Sequence, residues 1–260
     1  MMSQPDSIFR YRPMTMFSMA ELATSTFWMS SVKNFNDPFE FQFAVEKLED
    51  TESNREFVMA CLVEESGMSR EDLEQKLSLD DYFDSVQLPC EPLIQAHKTR
   101  GVCCFSEIKD SVLMWGHYCE GHTGFVIEYD ASRFPFNHTI AVEYSDNLCR
   151  FSPRDIIENH KECLEKTLTT KATAWSYERE RRLIHDHEKN NISVAHDPLA
   201  LKAIYFGAKC TRQNIEIICN LTNHLEPKYF ATQLDRESYR LKFVPLKYTP
   251  AKLIGERANA

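Results

Sequence analysis

Short strand-like runs recur along this chain at irregular intervals, and that irregularity constrains the fold more than any single motif. Residues 8–12 alternate apolar and polar side chains and stop at Pro13. Residues 26–29 read as a second strand and 102–106 as a buried one. Residues 123–130 and 139–145 alternate and are expected to pair, and further strands read at 201–206 and 239–244. Helical patterns fall between them: 18–24, where Ser18 stands as a cap with Glu21 at capping-box spacing, then 110–119, 153–168 behind Ser152 and Pro153, and 213–221. A doubly wound sheet would alternate strands and helices regularly. The spacing here predicts an α+β protein, with a mixed or antiparallel central sheet and helices packed around it.

The chain reads as one domain over residues 1–260, with a helical insertion at about 53–100. The acidic stretch 53–77 is helical, broken at Gly67, restarted by Ser69 and Asp72, and reads as a lid or a decoration; another helix follows Pro92 as far as Arg100. With 260 residues, such a chain can bury a substantial core.

Charge and cysteine content limit the setting. A net charge of -9 argues against a protein that grips duplex nucleic acid through its phosphates, although a local basic cleft stays compatible with it. No apolar run approaches the roughly 20 residues that span a bilayer, and the opening residues lack a secretory h-region. A cytoplasmic protein is expected, without membrane partners. In that compartment the 9 cysteines, an odd number, read as free thiols; Cys61, Cys103, Cys104 and Cys219 sit in apolar runs as small hydrophobes.

The densest chemistry lies in Trp175-Ser176-Tyr177-Glu178-Arg179-Glu180-Arg181-Arg182. On a strand, Glu178 and Glu180 would project from one face about 7 Å apart with Arg182 beside them. Two such acids raise each other's pKa and suit general-base or cation-stabilising work. On a helix, Glu178 and Arg182 would instead form an ordinary i,i+4 pair. Pattern alone leaves both open.

Other candidates are less compact. Asn36-Asp37-Pro38-Phe39-Glu40 is turn chemistry, yet between Phe35, Phe39 and Phe41 it can present an amide and a carboxylate to a planar ligand. Trp115, His117, Tyr118 and His122 read as pocket-lining or half-buried residues. The spacing of His117, Cys119 and His122 fits no strong zinc pattern, and no metal is expected. His185-Asp186-His187 reads as a solvated strand end. Arg10 and Arg12 share one strand face, as phosphate ligands or as charges guarding an edge. Dinucleotide, P-loop and hydrolase-elbow signatures are absent from the sequence.

Taken in order, these motifs resemble an uncharacterised bacterial family, the domain of unknown function 2971. The resemblance rests on Tyr11-Arg12, on Phe35-Asn36-Asp37-Pro38-Phe39-Glu40 and on Cys104-Phe105-Ser106. It continues in Met114-Trp115-Gly116-His117-Tyr118, His122-Thr123-Gly124, and Lys171 with Trp175 to Arg182. It implies no activity. The order Arg12 (or Arg10), Ser106, Glu178-x-Glu180 is also similar to ADP-ribosyltransferases of the Arg-Ser-Glu type, with Cys104-Phe105-Ser106 where those enzymes have Ser-Thr-Ser. That similarity implies NAD as substrate. Glu180 would hold the nicotinamide ribose and stabilise an oxocarbenium-like transition state, and Glu178 would orient the acceptor. Ser106 would support Glu180, Arg12 would hold a phosphate, and Tyr118 or Trp115 would stack on nicotinamide. The expectation is a nucleotide-acting enzyme, by ADP-ribosyl transfer or NAD cleavage in bacterial conflict or stress, with a protein or nucleic acid as a candidate acceptor. Two alternatives stand beside it: a non-enzymatic module that binds a protein or small ligand, and a metal-dependent nuclease using Asp37, Glu40 and Glu178.

Overall fold

The computed structural model describes residues 4–76, 99–185 and 190–249. Its helices and mixed, largely antiparallel central sheet make this an α+β protein. Two compact units account for the chain. One comprises Met1–Ser30, Gly101–Val142 and Ala174–Ala260, the other Ser31–Arg100 and Glu143–Thr173.

The first unit is built on a large sheet. Its path runs β11 (Ile192–Ala195), β2 (Thr26–Ser31), β4 (Gly101–Ser106), β1 (Ser7–Arg12), β5 (Phe125–Asp130), β12 (Leu201–Phe206), β13 (Lys228–Leu234) and β14 (Leu241–Leu246). Strand β10 (Glu180–Ile184) also pairs with β4, and carries the short β6 (Ile140–Ala141) on its other side. The pairs β1–β4, β1–β5, β4–β10 and β5–β12 are antiparallel. Strands β12 and β13 are parallel, which requires a crossover, and helix α7 (Arg212–Thr222) lies in that connection.

Side chains alternate across this sheet, so its two faces hold different cores. Ile8, Cys103, Phe105, Ile127, Tyr129, Ile204 and Phe206 meet on one face with Phe27, Met29 and Ile218. Phe9, Tyr11, Val126, Ala203 and Tyr205 meet on the other, where helix α4 (Val112–Tyr118) contributes Met114 and Trp115.

Local sequence explains several boundaries. Helix α1 (Met16–Thr24) starts at Thr15, whose side chain accepts from the Ser18 N–H; Ser18 is therefore inside the helix and is not its cap. Residues 123–130 and 139–145 do not pair with each other. Strand β5 lies between β1 and β12, while residues 140–141 pair with β10 and Glu143–Ser145 (β7) pairs with Thr170–Ala172 (β9). Residues 153–168 form two helices, α5 (Pro153–Glu158) and α6 (His160–Thr169), divided at Asn159. Ser152 caps the first through a complete capping box with Asp155.

The second unit holds α2 (Glu52–Ser66), α3 (Arg70–Lys76), α5 and α6, the parallel pair of β3 (Phe43–Val45) with β8 (Cys149–Phe151), and the pair β7–β9. Gly67 ends α2 at φ 65°, and Asp72 donates its backbone N–H to Ser69 Oγ at the start of α3, as the sequence predicts. Val58, Met59, Leu62 and Leu73 form a small core there. Leu77 and most of the helix expected before Arg100 lie outside the described residues.

Candidate functional site

Three neighbouring strands carry the candidate catalytic residues. Ser106, the last residue of β4, lies directly opposite Glu180, the first residue of β10, and opposite Phe9 of β1 on its other side. Residues directly opposed in an antiparallel pair share a face. Ser106 and Glu180 therefore project together with Phe9 and, by alternation, Tyr11 and Arg182. Arg10 and Arg12 project from the opposite face. The structure thus brings Ser106 and Glu180 together and separates them from the arginine that the ADP-ribosyltransferase similarity groups with them. Tyr11 is the β1 side chain on their side.

Glu178 is not on a strand. It ends a 3₁₀ segment, Thr173–Glu178, and Arg179 turns the chain at φ 44° before β10 begins. The expected side-by-side strand glutamates are replaced by two carboxylates in different settings. Glu178 is buried, and its Oε1 accepts a 2.6 Å hydrogen bond from Tyr118 Oη; its carbonyl accepts one from Ser106 Oγ, also at 2.6 Å. Ser106 Oγ accepts in turn from the Ile108 N–H at 3.1 Å. Ser106 thus ties the end of β4 to the turn that precedes Glu180.

Glu180 is paired instead with Arg182, in a fork of Nε to Oε1 at 2.8 Å and Nη2 to Oε2 at 3.1 Å, with Arg182 fully buried. No α-helix runs through these residues, so Glu178 and Arg182 do not stand one turn apart on a common helix. Arg181 points to the other face, where it donates to Thr139, Glu107 and Gln4.

An aromatic group borders these acids. Tyr177 Oη lies 3.3 Å from His117 Nδ1, and Trp175 and Tyr177 sit ring to ring at 6.1 Å. His117 is exposed and Tyr177 half-buried. Trp115 is fully buried, packs edge-on against Tyr11 and stacks on His122. Its indole N–H donates to the Lys109 carbonyl. Tyr11 Oη donates to the Ile108 carbonyl, and burial pushes its pKa up. His122 Nδ1 is buried without a partner among the described residues, and burial, with Lys209 nearby, lowers that ring's pKa. Trp115 and His122 are therefore packing residues more than ligand platforms.

The arginines on the far face have a partner that the sequence does not announce. Glu21, on α1, lies 3.3 Å from Arg10 Nη2 and 2.9 Å from Arg12 Nη2, and accepts the Trp28 N–H at 2.9 Å. The Arg10 guanidinium also lies over the rings of Phe27 and Phe105, at 5.9 and 5.8 Å from their centroids. Burial works against the charge of Arg10, yet Cys103 and Glu21 outweigh it and raise its pKa. Arg12 is lowered by burial and then by Arg10. Capping-box spacing points to Glu21, but for a role that it does not play. Burial pushes the Cys103 and Cys119 thiols up to about 11 and about 12, so both are inert thiols at neutral pH.

The aromatic turn belongs to the second unit. Asn36 is exposed, Asp37 Oδ1 accepts the Phe39 N–H at 2.8 Å, and Phe35 and Phe41 pack edge-on at 4.8 Å. Glu40 is buried and lies 3.4 Å from Lys171 Nζ, so this carboxylate is committed to an ion pair within its own unit. Among the described residues, no group of three or more His, Cys, Asp or Glu side chains is arranged to hold a metal ion. His185 follows the end of β10, and Asp186 and His187 lie outside the described residues.

Among the described residues no helix is long and apolar enough to cross a membrane. No curated protein and no solved structure matches this chain. Residues 114–183, the segment that carries Trp115, Tyr118, Glu178, Glu180 and Arg182, match the model of a family described as a protein of unknown function, DUF2971.

Proposed function

We propose that this protein is a cytoplasmic bacterial enzyme of conflict or stress that acts on a nucleotide such as NAD, by ADP-ribosyl transfer or NAD cleavage. Its reacting face is the one shared by Ser106 and Glu180. The observation that carries the reading is the direct opposition of these two residues on adjacent strands, with β1 as the next strand over. In such a reaction the bond between ribose C1′ and the nicotinamide nitrogen breaks, and its electron pair leaves with nicotinamide. Positive charge then develops on the ribose, and a fixed carboxylate beside it lowers the barrier. Glu180 is that carboxylate, held in place by Arg182 and by the Ser106 tie to the preceding turn. Glu178, fixed by Tyr118, orients the water or acceptor hydroxyl that attacks C1′ and loses its proton. Tyr177 and His117 supply a flat edge for the departing ring. Arg12 has no part in this arrangement, because it lies on the other face.

The test is nicotinamide release from NAD by the purified protein, with and without protein and nucleic-acid acceptors, followed by chromatography. Glu180→Gln, checked for folding by circular dichroism, is expected to abolish release. Absence of release under all these conditions, or full activity in a folded Glu180→Gln variant, overturns the proposal.

A second reading is favoured by the closed Glu180–Arg182 fork, which resembles a structural pair as much as a catalytic one. In that case the protein is a binding module. A nucleotide would then raise its melting temperature without being consumed.

A further inference from the structure

On the same sheet face, on the strands beyond β1, lies a cavity of about 360 Å³ that none of the preceding chemistry uses. Ala203 is its floor. Glu128 of β5 lies opposite Ala203 on one side and Lys228 of β13 opposite it on the other, while Tyr205 lies opposite Phe230. These five residues therefore share a face, and the small Ala203 leaves the space that its larger neighbours surround. Lys202 completes the lining from the β-bulge between Leu201 and Ala203.

The polar groups of this cavity are unequally satisfied. Glu128 accepts from Tyr205 Oη at 2.6 Å and from Ser7 Oγ at 2.7 Å, and Lys202 Nζ lies 3.7 Å away. Its charge is thus matched by Lys202, which also donates to Ser7. The Lys228 side chain makes no ion pair or hydrogen bond with any described residue and is exposed. Beside it, the rings of Tyr205 and Phe230 stack 4.8 Å apart and within 10° of parallel; Tyr205 is buried, and the half-buried Phe230 offers the aromatic surface. In a protein of net charge -9, the cavity pairs one uncommitted cation with a flat apolar surface.

We propose that this cavity binds a small planar aromatic carboxylate, its ring against Phe230 and its carboxylate on Lys228. The size limits the ligand. Pockets for small molecules run from about 300 to 1,000 Å³, so this one, at the lower end, matches the size of a single-ring compound. The charge limits it too. A lone ammonium is a point charge, which holds a carboxylate without the two-pronged geometry that a guanidinium brings. The site shares the sheet face of Ser106 and Glu180 but lies on other strands, β5, β12 and β13, and stands whether or not NAD is a substrate.

The experiment is titration of the full chain with benzoate, benzyl alcohol and acetate, followed by isothermal calorimetry and by NMR shifts. Benzoate is expected to saturate, with benzyl alcohol and acetate each at least about fivefold weaker, since each keeps only one of the two contacts. Lys228→Gln changes an exposed side chain and preserves the fold. It is expected to weaken benzoate about three- to fivefold and to leave benzyl alcohol unchanged. Ala203→Leu fills the floor and is expected to abolish benzoate binding. No saturable benzoate binding, equal binding of benzoate and benzyl alcohol, or a Lys228→Gln variant that binds benzoate as the parent does would each overturn the proposal.

Discussion

Glu180 and Arg182, two residues apart on β10, face one another through two hydrogen bonds, and neither side chain is more than 4% exposed. Removing one member of such a pair strands the other charge in a low-dielectric interior. Glu180→Gln is expected to cost about 3–5 kcal/mol of stability, whereas the double replacement Glu180→Leu with Arg182→Leu should cost much less. Urea denaturation of the two variants checks this. Equal losses would mean that the pair is not what makes Glu180→Gln costly, and the single variant must be folded before its activity is read.

A second prediction concerns Glu21, which forms ion pairs with both Arg10 and Arg12. Arg10 Nη1 and Arg12 Nε have no hydrogen-bond partner among the described residues, and Glu21 Oε2 sits near Arg12 Nη2 without the angle of a hydrogen bond. The cluster therefore depends on charge more than on hydrogen-bond geometry. Glu21→Gln should destabilise the protein by about 3 kcal/mol or more, because two guanidiniums then repel without their shared carboxylate. A thermal melt that shifts by only a degree or two would contradict this.

These two pairs mark what the sequence can and cannot disclose. Alternation shows that Glu180 and Arg182 share a face and that Arg10 and Arg12 share one, since a strand's period of two is local information. It cannot show that the two sets lie on opposite faces, because that depends on the register of β1 against β4, which only Phe9↔Ser106 reveals. The departure of Glu178 from the strand rests on a positive φ at Arg179, a residue type that gives no warning of it. Glu21 looks like a cap because capping-box spacing is also a local signal. Its real partners come from packing α1 on β1. The α+β class is legible for a different reason: irregular spacing of strands is a property of the whole chain.

Tyr118→Phe tests the Glu178 setting. The lost hydroxyl leaves a buried carboxylate oxygen short of its 2.6 Å donor. Hydrogen bonds to charged groups are worth about 1.5–3 kcal/mol, so a loss in that range is expected by denaturant unfolding. In the proposed enzyme, the same variant should impair transfer to an acceptor more than it impairs nicotinamide release, because Tyr118 fixes Glu178 rather than Glu180. Equal impairment of both would remove Glu178 from the acceptor role.

The end of β12 predicts an intolerant glycine. A Cβ on Gly207 would lie 2.1 Å from the His122 carbonyl oxygen, and Gly207 donates its N–H to the Gly124 carbonyl at 2.9 Å. The obstacle is backbone, which cannot swing aside. Gly124 faces the same restriction, since a Cβ there would lie 2.2 Å from the Arg12 carbonyl oxygen. Gly207→Ala should therefore cost at least about 1–3 kcal/mol, the range for forced overpacking. Gly116→Ala, where a methyl meets nothing within 4 Å, should cost far less and serves as the control.

Acid sensitivity should be traceable to His196. Its ring stacks on Phe27, packs against Tyr129 and Phe136, and has Arg10 in its surroundings. Burial, the largest influence, lowers its pKa below the ordinary 6.5, and its hydrogen bond to the Asp197 carbonyl only partly opposes this. The unfolded chain then binds a proton at a pH where the folded one does not. By linkage, the stability from the neutral ring is complete above about 6.5 and is lost as pH falls from there toward the lower folded value. Urea midpoints at pH 7.5, 6.5 and 5.5 should therefore decline for the parent protein, and the difference between the parent and His196→Phe should shrink in the same window. A difference that is constant over this range would show that His196 is not the group being protonated.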